Sequence, residues 1–226
     1  MESSAALREL DALIRERSIL EHPFYQAWTR GELTRDQLAT YARIYYPHVE
    51  AFPRYLEAAI SLAEDPRARA ELADNLADER SNPAPHDELW LDFAEGVGAD
   101  RRDVMTAAPH PAAATIVGTF ENLTRESLAT GVAALYAYES QQPEVSCSKA
   151  KGLRAHYGIE HPASLEYFAV HQAADVRHRA GEREMLVACL DAGVPAEAVH
   201  EAASRALDAY WGLLDGVCQE AGITCA

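Results

Sequence analysis

Apolar and polar positions follow the helical period almost throughout this chain. Leu7, Leu10, Leu13 and Ile14 recur at three- and four-residue spacing and predict a first helix to about residue 18, with Ser3 or Ser4 as its N-cap. A short second helix from His22 to Arg30 ends at Gly31. Thr34-Arg35-Asp36-Gln37 has the form of a capping box and opens a long helix toward residue 63, which Pro47 and Pro53 should kink. Asp65-Pro66 starts a helix to about Arg80. Ser81-Asn82-Pro83-Ala84-Pro85 interrupts it, and helix resumes from about His86 to Glu95. Beyond Gly96-Val97-Gly98, Asp100 caps a short helix. Pro109 or Pro111 opens a longer one ending near Gln141, and Pro143 another that stops at Gly158. Pro162 and Pro195 start the last two, over residues 163–191 and to about residue 220. Val/Ile/Thr-rich alternation is missing, as are repeats and long linkers. The pattern predicts an all-α, single-domain helical bundle over residues 1–226, of seven to nine helices with short connections.

Composition narrows the partners. The 226 residues carry 36 acids against 20 Lys and Arg, a formal charge of −16, with 48% apolar residues. That is a globular balance with enough chain for a full core. Nucleic acid and anionic membrane surfaces need a basic footprint, so neither is expected as a partner. No uninterrupted apolar run is long enough to span a bilayer, and Met1-Glu2-Ser3-Ser4 does not open like a signal peptide. Cys147, Cys189, Cys218 and Cys225 lack Cys-x-x-Cys spacing and read as reduced thiols of a cytoplasmic protein.

Three stretches carry candidate chemistry. In His171-Gln172-Ala173-Ala174-Asp175-Val176-Arg177-His178, positions i, i+4 and i+7 share one stripe of a helix with about 3.6 residues per turn. His171, Asp175 and His178 therefore face the same way, with Tyr167 and Ser164 behind them and Glu182 ahead. Nitrogen and oxygen donors without thiolate suit iron or manganese better than structural zinc. A solvated polar face with incidental histidines would show the same spacing. Glu79 and His86 are seven apart, but Pro83 and Pro85 lie between them, and spacing alone favours an ordinary acidic surface turn. Glu139 follows the apolar run Val132 to Tyr138, which can draw it inside, where a metal would relieve the cost of burying it. A surface glutamate at a helix end is the commoner outcome for a lone Glu. Taken together, three carboxylates and three histidines are the ligand count for two metal ions with positions open to oxygen.

The order Glu79, His86, Glu139, His171, Asp175, His178 resembles that of the haem-oxygenase-like diiron oxidase superfamily. The flanking Pro85-His86-Asp87-Glu88-Leu89-Trp90, Leu135-Tyr136-Ala137-Tyr138-Glu139-Ser140-Gln141 and Ser148-Lys149 resemble the subgroup of the chlamydial protein associating with death domains and its bacterial relatives. The resemblance runs from about His22 to the C-terminus. It implies a haem-oxygenase-like bundle of about seven helices and a dinuclear site of Fe/Fe or Fe/Mn, with dioxygen and a reductant as co-substrates. It also implies a self-sacrificing synthesis of p-aminobenzoate for folate, in which a tyrosine supplies the ring and a lysine the amino group. By position the tyrosine is Tyr25, in His22-Pro23-Phe24-Tyr25, and the lysine Lys149, with Lys151 as a second candidate. Tyr138 becomes a redox-active neighbour of Glu139.

Other readings stand beside it. Tyr25 could simply pack between Phe24 and Trp28, and Tyr41, Tyr45, Tyr46 and Tyr55 look at least partly like core aromatics. His22, His48, His110, His156, His161 and His200 match no motif and read as surface or capping residues, and Arg177 and Arg179 as solvated or paired with acids. The same fold could oxidise an external amino acid or fatty acid. A metal-free relative of the thiaminase or quinone-cofactor type would leave the carboxylates unexplained. A non-catalytic interaction protein, with a death-domain-type partner implied by the resemblance alone, would do the same. A homodimer through a flat helical face is also expected.

Overall fold

The helices follow from the periodicity, in a computed structural model that describes residues 2–224. They are α1 (Glu2–Glu16), α2 (Pro23–Arg30), α3 (Arg35–Leu62), α4 (Pro66–Ser81), α5 (His86–Gly96), α6 (Arg101–Thr106), α7 (Pro111–Glu126), α8 (Leu128–Glu139), α9 (Gln142–Tyr157), α10 (Pro162–Asp191) and α11 (Ala196–Ala221), with a 3-10 turn at Ile19–Glu21. No strand occurs among the described residues, and no helix is long and apolar enough to cross a membrane. The capping chemistry works as read at Thr34, whose hydroxyl accepts from Gln37 N–H while the Gln37 side chain accepts from Thr34 N–H. His22 and His110 cap α2 and α7 through their imidazoles. Helix α3 continues through both prolines.

The described residues form eleven α-helices where seven to nine are expected, and the structure departs from the pattern in three further places. Helix α1 begins at Glu2, so Ser3 and Ser4 lie in its first turn and cap nothing. The expected helix from Pro111 to Gln141 is two helices, because Ser127 is extended at φ −160° and its hydroxyl accepts from Thr130 N–H, starting α8 afresh. The Thr130 side chain returns the bond to Ser127 N–H, a capping box without the usual Glu or Gln at its third position. His48 is wholly buried, not a surface or capping residue. It lies on the α3 stripe Tyr41, Tyr45, His48, Phe52, Tyr55 and packs against Phe120 and Tyr138, and burial pushes its pKa down to about 3. Met1 and Cys225 lie outside the described residues.

Two helices organise the interior. Every residue of α8 from Ala129 to Glu139 is buried, as an all-round apolar helix requires, against α7, α10 and α11. Helix α10 packs on α9, α5, α8 and α4. Its inner face mixes Leu165, Phe168, Met185 and Leu186 with Ser164, His171, Asp175, His178 and Glu182. A single hydrophobic cluster extends from Leu7 to Cys218.

The approach of α2 to α9 is very close. A Cβ on Gly152 would fall 2.6 Å from Trp28 Cδ1, and Trp28 Nε1–H donates to the Lys149 carbonyl at 3.2 Å. Only glycine lets the Trp28 ring seat there, and this contact sets where Tyr25 stands relative to Lys149. Gly152→Ala is expected to lower stability by about 1–3 kcal/mol through overpacking, read from the urea midpoint at unchanged slope.

Candidate metal centre

All six side chains of the ligand set are buried, and they fall into two groups. Glu79, His86 and His171 form one, and Glu139, Asp175 and His178 the other, with the candidate donor atoms of each group within 4.8 Å of one another. The prolines that obscured the Glu79–His86 relation create it. Helix α4 stops at Ser81, the chain turns through residues 82–85, and His86 opens α5 with its Nδ1 3.0 Å from Glu79 Oε1. Glu139 is the last residue of α8 and so sits where that apolar helix delivers it into the core. Asp175 and His178 meet it from α10, with His178 Nδ1 3.3 Å from both Glu139 Oε1 and Asp175 Oδ1.

Each imidazole is oriented by its outward nitrogen. His86 Nε2–H points at the Asn82 carbonyl at 3.3 Å, and His171 Nδ1–H donates to the Tyr167 carbonyl at 2.7 Å. His178 Nε2–H donates to Asp78 Oδ2 at 3.0 Å. Acceptors on one nitrogen leave the other turned toward the carboxylates, the usual support of metal-bound histidine. Asp78 is steadied by Arg177 at 2.8 Å and by Asn82, and Asn75 Nδ2 donates to Glu139 at 2.9 Å.

The inward-facing atoms fit a metal. His86 Nδ1, Asp175 Oδ2 and both Glu182 oxygens are buried without a well-formed hydrogen bond, which is costly unless a cation satisfies them. Metal–ligand bonds of about 2.1 Å hold adjacent donors about 3.0–3.4 Å apart. The donor pairs of the two groups span 3.0 to 3.7 Å.

The electrostatics carry the same strain. Burial pushes the Glu79 carboxyl up, but His86 and His171 outweigh it and hold the group well below the usual range. Burial lowers His171 and His178, yet the surrounding carboxylates raise them to about 8 and about 11. Asp175 and Glu182 are pushed up by burial, Glu182 also by Glu139. These buried acids compete for few positive charges, a deficit that two cations would meet.

A second chamber adjoins the first. Lys149 is buried on α9, while Lys151, about 200° further round the same helix, is exposed. Lys149 Nζ lies 5.1 Å from the ring centroid of Tyr25, 5.4 Å from that of Tyr41 and 5.3 Å from that of Tyr45, with Trp90 and Phe168 closing the cage. Burial alone brings its pKa down to about 7. Tyr138, next to Glu139, shares a 2.8 Å hydroxyl contact with Tyr45, which donates to Tyr210 at 3.2 Å. Tyr210 interacts in turn with Tyr25, whose hydroxyl lies 3.1 Å from that of Tyr41. A continuous line of phenols therefore joins the two chambers. Asn75, one turn before Glu79, and Asp78 beside it are invisible to sequence patterning, because nothing in their spacing separates them from a solvated acidic helix. Tyr210 has no local signal at all.

Sequence comparison decides the family. The profile of an iron-containing redox enzyme family matches residues 39–211. The chain belongs to this haem-oxygenase-like iron-containing redox enzyme family. A curated member from Chlamydia muridarum, 4-aminobenzoate synthase, is 42% identical over 97% of this chain and 92% of its own. Another of that name from Nitrosomonas europaea is 37% identical over 96% and 92%. Among solved structures, a TenA homologue from Pseudomonas syringae superposes with a TM-score of 0.79 at 20% identity, over 97% of this chain and 96% of that one. A CADD-like protein of unknown function from Nostoc punctiforme superposes at 0.76 and 22%, over 98% and 99%. The haem-oxygenase-like fold and the redox-enzyme assignment are thus established, and the two buried triads fit a dinuclear site of this family.

Metal-free protein is expected to take up two ferrous or manganous ions per chain, counted by elemental analysis after desalting. Asp78→Asn should weaken the ion at His178 about 10–100-fold in chelator competition, and unchanged affinity would deny Asp78 that role.

Proposed function

We propose that this enzyme forms p-aminobenzoate from its own Tyr25 side chain, with Lys149 as amino donor, and consumes itself in doing so. The metal pair would be Fe/Fe or Fe/Mn, held by Glu79, His86, His171 and by Glu139, Asp175, His178, with dioxygen and a reductant as co-substrates. The curated relatives named 4-aminobenzoate synthase support the product. The observation that carries the self-reaction is the Lys149 amine, buried without a carboxylate and 5.1 Å from the centroid of the Tyr25 ring.

The product and the side chain share a ring with one carbon para to a heteroatom. Conversion therefore needs the phenol oxygen lost as water, nitrogen handed over with the Lys149 Cε–Nζ bond broken, and the Cα–Cβ bond cut with Cβ oxidised to a carboxylate by dioxygen. The metal pair, when bound, supplies dioxygen activation. The chain supplies the rest. Burial keeps a large share of Lys149 as the free amine near neutrality, the form with a lone pair to give. The cage orients that amine against the ring and excludes water. Tyr138 is the redox-active neighbour, and its hydroxyl line through Tyr45 and Tyr210 suits passage of protons and electrons toward Tyr25.

The alternative of an external substrate fits less well. The cavity between the triads, lined by Glu79, Tyr138, Glu139, Tyr167, His171 and Asp175, measures about 10 Å³, room for about one water-sized molecule. A larger cleft of about 460 Å³ near Asp11, Tyr136 and Arg183 contains none of the six ligands. That inner space has no room for an amino acid or a fatty acid.

The test is mass spectrometry of product and intact protein after anaerobic metal loading and exposure to air with a reductant. At most one p-aminobenzoate per chain is expected, with a matching mass loss, and none from Tyr25→Phe. Product from Tyr25→Phe, or many turnovers with an added substrate, would refute the self-reaction. Product yield should rise as pH passes about 7, where Lys149 loses its proton.

Lys149 also sets a stability slope. Its folded pKa of about 7 lies below the ordinary 10.5, so the unfolded chain holds the extra proton between those values. Stability from this group is lowest below about pH 7 and rises toward about pH 10.5. Lys149→Met is expected to flatten that rise and to stabilise the protein at neutral pH by on the order of 1–3 kcal/mol, read from melts across pH.

A further inference from the structure

The inward stripe of α10 continues past His178. Glu182, one turn further on, is 1% exposed, and no donor group of the protein reaches either of its oxygens. The ionisable groups that face it are Glu139 and Asp175, both acids, with Glu139 the nearer. Two carboxyls buried side by side, one of them with no donor at either oxygen, are a pair that a cation can bridge or take over. Asn75 and His178 already serve Glu139, and His178 also serves Asp175. Three buried carboxylates thus converge where one imidazole faces them, whereas the other triad sets one carboxylate against two imidazoles.

We propose that Glu182 is a fourth protein ligand of the ion held by Glu139, Asp175 and His178. This assignment rests on the dinuclear reading of the two triads. It makes the two positions chemically unequal. One is rich in nitrogen, with Glu79, His86 and His171. The other is rich in oxygen, with three carboxylates and His178, a donor set suited to a hard ion such as manganese. Glu182 lies at i+4 from His178 and i+7 from Asp175, so a single helix face presents three of the four donors.

The test is manganous-ion binding to metal-free protein, followed by the electron paramagnetic resonance signal of the free ion. Wild type is expected to bind two ions per chain. Glu182→Gln should weaken one of them at least tenfold and leave the other unchanged, while His86→Ala should weaken the other. Glu182→Asp separates ligation from charge, since it keeps the charge but retracts the carboxylate by one methylene. A weakened site in Glu182→Asp supports direct ligation, and wild-type affinity there would overturn it. Two wild-type sites in Glu182→Gln would overturn the assignment and leave the dinuclear centre standing. Fewer than two ions in wild type would instead remove the centre itself. Helical circular dichroism of each metal-free variant checks the fold, and Glu182→Asp decides the question alone should Glu182→Gln not fold.

Discussion

Buried charge is the constraint on which this molecule turns. Glu79, Glu139, Asp175 and Glu182 are enclosed by helices that offer them three imidazoles and one amide, and among the described residues no lysine or arginine pairs with them. A carboxylate taken from water without compensation costs several kcal/mol, so the metal-free centre stores an electrostatic deficit. The helix ends and turns around it make sense in that light. The break at residues 82–85 swings His86 back over Glu79, and the end of α8 releases Glu139 into the same space. The outward nitrogens of the histidines are all given acceptors, so the inward ones are left for a cation.

The chamber next to it inverts the problem. Lys149 is a single buried cation-forming group among Tyr25, Tyr41, Tyr45, Trp90 and Phe168, with aromatic faces in place of a carboxylate. Ring faces attract an ammonium weakly compared with water, and the amine therefore gives up its proton early. One chamber lacks positive charge and the other disfavours it, only a few side chains apart. Trp90 and Tyr167 stand between them, stacked edge to face at 4.8 Å, and Tyr167 lies over His171 at 4.1 Å. Such a partition keeps the amine from neutralising the carboxylates and keeps both reagents ready.

Much of this is legible residue by residue. The α10 stripe places His171, Asp175 and His178 together because three ligands on one helix need only the helical period. Thr34, Asp65 and Asp100 announce their helices because capping is local chemistry. Ser127 does not, because its partner Thr130 makes a weaker signature than Glu or Gln. His48 reads as a surface residue because a histidine without a motif looks polar, although its stripe with Tyr41, Tyr45, Phe52 and Tyr55 marks it as interior. Asn75 and Asp78 are hidden for the opposite reason, lying on a helix whose exposed residues are just as polar.

The helices, their caps and the chemical inventory of the site come from the chain alone, since each depends on neighbours within a turn or two. Motif order also identifies the family, and through it Tyr25, Tyr138 and Lys149 as the side chains to watch. It takes the packed fold to bring Glu79 and His86 together across a proline turn, to face Lys149 and not Lys151 inward, and to let Tyr210 complete a line of phenols from Tyr138 to Tyr25. Most of those contacts join residues far apart in the chain, and none lies along one regular helix face, so packing sets the distance and no local period reports it.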